Sequence, residues 1–97
     1  MMTKAYWVAH VEVFDADAYA IYAKGATESF RKYGGKPLAR GGFTQHLEGE
    51  RRPRNVVVEF ESMEAALACY NSPEYQAAKS HREGKAVADL MIMEAVE

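Results

Sequence analysis

Between Tyr33 and Phe60 the chain reads YGGKPLARGGFTQHLEGERRPRNVVVEF, and this stretch restricts the fold more than any other. Gly34-Gly35 followed by Pro37 stops any helix that precedes it: glycine supplies the positive-φ conformation that helix C-termini favour, and proline keeps the helix from resuming. Leu38 to Glu48 and Asn55 to Glu61 then read as two strands joined by a polar turn, Gly49 to Arg54. Gly41 and Gly42 inside the first of these mark a bulge or a place where something approaches the backbone closely.

The flanking segments complete the pattern. Tyr6 to Phe14 (YWVAHVEVF) is aromatic and β-branched and reads as the first strand, with Trp7, Ala9, Val11 and Val13 on one apolar face and Tyr6, Val8, His10 and Glu12 on the other. Asp15 stands at a helix N-cap, and Tyr19, Tyr22, Ala23, Ala26, Phe30 and Tyr33 follow at three- and four-residue spacings. Ser62 caps a second helix with Met63, Ala66, Leu67 and Tyr70 on its inner stripe. Ser72-Pro73 restarts helix as far as about Glu83, because proline suits the first helical position. Asp89 to Val96 is the fourth strand.

The order β-α-β-β-α-β predicts a single α+β domain over residues 1–97: a ferredoxin-like sandwich whose four-stranded antiparallel sheet carries its helices on one face. Its other face presents Tyr6, Val8 and Val57, an apolar area too large to leave in water. A homodimer is therefore expected, the two open faces meeting around a shared cavity as in a closed two-sheet barrel.

Twelve basic and fourteen acidic residues leave a formal charge of -2, so no global field draws the chain to nucleic acid or an anionic membrane. Arg51, Arg52 and Arg54, close to Glu48 and Glu50, read as a solvated turn. One cysteine, Cys69, excludes an internal disulfide and reads as a small buried hydrophobe in a reducing compartment. With no signal pattern and no apolar run near the roughly 20 residues a membrane span needs, a cytoplasmic location is expected. His10, His46 and His81 lie on different elements without ligand spacing, and Gly41-Gly42 lacks the following helix of a phosphate cradle. No metal and no cofactor is expected.

Tyr6-Trp7, the Asp15-x-x-x-Tyr19 helix start, Tyr33-Gly34-Gly35, Leu38 to Gly42 (LARGG), Leu47 to Glu50 (LEGE), Arg54 to Phe60 (RNVVVEF) and Ser72 to Gln76 (SPEYQ) together resemble the DUF1330 family of the dimeric α/β-barrel superfamily, over nearly the whole chain. The resemblance implies the fold and the dimer; the family has no established activity. The wider superfamily includes cofactor-independent monooxygenases, lactone isomerases and haem-degrading enzymes, too diverse for their chemistry to carry over.

Strand alternation nominates the candidate residues. His10 and Glu59 both face away from the helices on neighbouring strands, where a carboxylate that fixes the imidazole tautomer would make a general base. Arg40, alternating with Leu38 and Gly42, is expected at the rim of the same cavity as a carboxylate or oxyanion anchor. Gly41 and Gly42 leave room for a ligand there, and Tyr6 shares the cavity face as a further substrate contact. The competing reading has His10 and Glu59 satisfying each other at a dimer interface and Arg40 in an ion pair with Glu48 or Glu59. Tyr19, Tyr22, Tyr33 and Tyr70 read as core, and Tyr75 and Arg82, seven apart on one helix face, either line a cavity mouth or, the favoured reading, form a packed cap with a solvated rim. Two function classes follow: a cofactor-independent enzyme on a small anionic or carbonyl-bearing molecule, or a non-catalytic ligand-binding or structural dimer.

Overall fold

The computed structural model describes residues 3–96. Its elements are β1 (Ala5–Val13), α1 (Ala16–Lys32), β2 (Lys36–Arg40), β3 (Arg54–Phe60), α2 (Met63–Tyr70), α3 (Pro73–Ser80) and β4 (Ala86–Glu94). All strand pairs are antiparallel, in the order β2-β3-β1-β4. This is the expected α+β, ferredoxin-like arrangement. The helix starts are capped as the sequence indicates: Asp15, Ser62 and Ser72 side chains accept hydrogen bonds from the backbone N–H groups of Ala18, Ala65 and Tyr75.

Alternation along β1 and β3 sends Trp7, Ala9, Val11, Val56, Val58 and Phe60 to the helix side, where they bury against Tyr19, Tyr22, Ala26 and Phe30 of α1 and Ala66, Cys69, Tyr75 and Ala78 of α2 and α3. The Trp7 ring lies 5.0 Å from both Phe30 and Tyr75 in edge-to-face contacts and 6.0 Å from Phe60 in a stacked one. No helix of the described residues covers the opposite face. There Met91 and Met93 are 52% and 53% exposed.

Two expectations about β2 fail, for physical reasons. It ends at Arg40 instead of Glu48, because Gly41 adopts φ 67° and turns the backbone out of the extended region. Gly41 N–H makes one last bond to the Asn55 carbonyl, and β3 begins at Arg54, leaving residues 41–53 nothing to pair with. They form an exposed loop whose Phe43 and Leu47 reach into solvent. Second, the irregularity falls before Arg40 and not at Gly41-Gly42: the register steps from Pro37 opposite Val58 to Ala39 opposite Val57, so Leu38 bulges out. β4 also starts earlier than Asp89, at Ala86, which pairs with Val13.

Gly34 and Gly35 serve different ends. Gly34 has φ 81° with open space around it, whereas a Cβ on Gly35 would sit 2.8 Å from Phe60 Cζ and 3.0 Å from Val58 Cγ1. Gly34→Ala should cost about 1–2 kcal/mol through the left-handed backbone, and Gly35→Ala about 1–3 kcal/mol through overpacking. Thermal unfolding of each variant with and without Phe60→Leu separates the two: coupling to Phe60 is expected for Gly35→Ala and not for Gly34→Ala.

Candidate anion-binding cleft

The helix face of the sheet is not filled completely. Between α1 and the strands runs a cleft floored by Trp7, Ala9, Val11, Val56 and Leu90 and walled by Tyr19, Tyr22 and Phe30. Arg40, Arg54 and Arg82 also line it. The cleft is open at its mouth but narrow, with a cavity volume of about 30 Å³, room for a water or two.

Hydrogen bonds and tyrosine rings hold the guanidinium groups in place. The Leu38 bulge turns Arg40 toward the helices, where its Nη1 donates to Thr27 Oγ1 of α1 at 3.2 Å. Arg54 opens β3 on the face shared by Val56 and Val58, and its guanidinium carbon lies 5.2 Å from the centre of the Tyr19 ring. Gly41 makes room for it: a Cβ there would stand 3.3 Å from Arg54 Nη1. Arg82 follows α3, lies 5.0 Å from the centre of the Tyr22 ring and donates from Nη2 to Tyr75 Oη at 3.4 Å. Stacking on aromatic faces holds a cation without neutralising it.

No ion pair of the described residues neutralises these groups, although Glu28 lines an adjoining surface pocket with Arg40 and Arg54. Among the described residues the ion pairs join Lys4 to Glu59, Lys32 to Glu74, and Arg52 to both Asp89 and Glu12; none takes Arg40, Arg54 or Arg82. The Nε atoms of Arg54 and Arg82 are buried without a hydrogen-bond partner, a condition that costs free energy and that native structures rarely tolerate without a reason. The cleft is lined by no acidic side chain. Beside Arg82, Tyr22 Oη and Tyr75 Oη share a 2.8 Å hydrogen bond. Burial raises the pKa of both phenols, and also that of Tyr19, so all three stay protonated.

The residues nominated from sequence divide between the two faces of the sheet. His10 stands opposite Asn55 and Glu59 opposite Tyr6, four ladder positions apart, or about 14 Å along the strands. The expected His10–Glu59 pair is therefore not formed. His10 Nδ1 bonds Asn55 Oδ1 at 2.6 Å, and Glu59 takes Lys4 at 2.8 Å. Tyr6 remains on the open face with them. Arg40 lies on the other side of the sheet and pairs with neither Glu48 nor Glu59. Gly41 accommodates Arg54, and Gly42 faces open space. Among the described residues no group of three or more His, Cys, Asp or Glu side chains is placed to hold a metal ion, and no helix is long and apolar enough to cross a membrane.

The model of DUF1330, a domain of unknown function, matches residues 4–96. The chain belongs to the DUF1330 family. Among solved structures, this DUF1330 chain is similar to a protein of unknown function from Rhodopseudomonas palustris, with 23% identity, TM-score 0.80, and 100% of this chain and 85% of that one covered. It is also similar to SnoaB, a cofactor-independent oxygenase from Streptomyces nogalater, at 12% identity, TM-score 0.67, and coverage of 98% and 95%. A dimeric protein of unknown function with a ferredoxin-like fold from Bacteroides fragilis aligns at 12% identity, TM-score 0.58, over 95% and 96%. No curated protein matches the chain in sequence.

Two of the DUF1330 chain's cleft arginines were readable from pattern. Extending the Val56, Val58, Phe60 alternation two places back reaches Arg54, which the turn reading assigned to solvent. Tyr75 and Arg82 meet as their spacing suggested, although α3 ends at Ser80, short of the expected Glu83, and Tyr75 is fully buried. Cys69, buried on α2, takes no part in the cleft. Burial, with a smaller contribution from Glu74, pushes its thiol up to about 11 from an ordinary 9.0. Because the folded state holds the proton more tightly, its contribution to stability is complete below pH 9 and lost as pH rises toward 11. Melting temperature should fall over that interval, and Cys69→Ala should flatten the fall while lowering stability at neutral pH through the cavity it leaves.

Proposed function

We propose that this DUF1330 protein binds a small, flat organic anion in the cleft between α1 and the sheet. The observation that carries this reading is that three guanidinium groups line one apolar cleft with no carboxylate among them. Keeping the Arg54 and Arg82 cations half-buried and unpaired is unfavourable in the empty protein. An incoming carboxylate or enolate removes that penalty, supplies acceptors for the buried Nε–H groups of Arg54 and Arg82, and lays its body on Trp7, Val11 and Leu90. Room for a ring arises when the exposed Arg40 swings off Thr27 and out of the cleft mouth, which a long side chain does without moving the backbone, while Arg82 and Arg54 keep their places over Tyr22 and Tyr19. His10 and Glu59 belong, in this reading, to the open face.

Titration calorimetry with benzoate tests the reading. Losing charge-assisted hydrogen bonds worth about 1.5–3 kcal/mol each should weaken binding by roughly ten- to a hundredfold in Arg54→Gln or Arg82→Gln. Equal binding by wild type and the double variant would exclude the cleft as an anion site. A second reading draws on the similarity to SnoaB: the bound anion is one that reacts with oxygen directly. The cleft offers cations to stabilise such an anion and has no His, Asp, Glu or Cys lining it to serve as a base. Oxygen uptake by the protein with a 1,3-dicarbonyl acid that is already ionised to its enolate in solution, abolished in the double arginine variant, would support it.

We also propose a homodimer joined through the open sheet faces, by analogy with the dimeric Bacteroides fragilis protein and because Val8, Met91 and Met93 are otherwise left against water. Val8 and Met91 are ladder partners. Lysine at both positions should halve the sedimenting mass, and an unchanged mass would show that these faces do not meet.

A further inference from the structure

The protons around Tyr22 point to a narrower ligand class, on the premise that the cleft binds an anion. Arginine only donates, so Tyr75 Oη is the acceptor of the 3.4 Å bond from Arg82 Nη2. Tyr75 and Tyr22 then share one bond of 2.8 Å between two hydroxyls, and one O–H proton is left over. Tyr75 is fully buried and does not line the cleft, whereas Tyr22 does. A spare proton on Tyr75 would be sealed in the core without an acceptor. The order Arg82 to Tyr75 to Tyr22 instead leaves it on the hydroxyl that faces the cleft, and a chain beginning at a cation polarises each successive O–H.

From this relay we infer that Tyr22 donates to a carbonyl or enolate oxygen of the bound anion, and that the ligand is a 2-oxo acid carried on a flat apolar body. Arg82 lies over the Tyr22 ring at 5.0 Å with its Nε unpartnered, so the cation and the hydroxyl are neighbours in the cleft. A carboxylate on Arg82 sets an oxygen on the adjacent carbon next to Tyr22. Arg54, across the Tyr19 ring, which is 5.2 Å from that of Tyr22, closes the charged end. An acid with CH₂ in place of the ketone keeps the arginine contacts and forfeits the relay.

Phenylglyoxylate and phenylacetate differ in that one group and are the probes. In wild type, phenylglyoxylate should bind about three- to tenfold more tightly, the worth of one hydrogen bond. Tyr22→Phe should cost phenylglyoxylate more affinity than phenylacetate and so remove the preference; Tyr75→Phe, which cuts the relay one link back, should reduce it and serves alone if Tyr22→Phe does not fold. Equal wild-type affinities, or a preference that survives in Tyr22→Phe, would overturn the relay while the anion cleft stands. Failure of both acids to bind would overturn both.

Discussion

Everything in this protein is arranged around Trp7. Its indole touches aromatic rings from the sheet, from α1 and from the α2–α3 pair, meeting Phe60, Phe30, Tyr70 and Tyr75. Burying rings of this size is the largest favourable contribution a 97-residue chain can make to its own stability. Aromatic pairs also prefer particular angles, so the cluster fixes orientation as well as proximity. The position of α1 over the strands is set by this packing at its C-terminal end, through Phe30.

Toward its N-terminal end α1 does not close onto the sheet as tightly. There the small side chains Ala9, Ala23, Ala26 and Ala88 line the gap, and the tyrosines stand at its edge. Small residues opposite one another leave space, which a core built for stability alone would fill with a larger branched side chain. In its place come guanidinium groups on aromatic faces with buried, unanswered donors. Stability and local chemistry conflict at this one end of the core, and such conflicts mark functional positions more often than packing errors.

Most of the architecture was legible in the sequence because it follows from local rules. The Asp15, Ser62 and Ser72 caps, the Gly34 stop and the alternation of β1 and β3 need no tertiary information. The misplacement of the candidate site came from two quantities that local rules do not supply. One is register: His10 and Glu59 do share a face, but antiparallel pairing set them four positions apart. The other is the location of the irregularity in β2, which the glycine pair suggested and Leu38 carries. Arg54 was overlooked for another reason, since charged residues next to turns are usually solvated, and only the ring of Tyr19 makes it an exception; Arg82 was set beside Tyr75, with a solvated rim preferred over the cleft it in fact lines.

The Leu38 bulge means that the chemistry of this fold is addressed by counting. One extra residue between the helix stop at Gly34 and the end of β2 decides whether Arg40 stands on the helix side of the sheet or on the open face, with no change in the arginine itself. Among related chains, a single-residue insertion or deletion in this short edge strand is thus a change of function in the guise of a loop-length difference. Two sequences that both carry an arginine here are equivalent only if the spacing back to the glycine is the same.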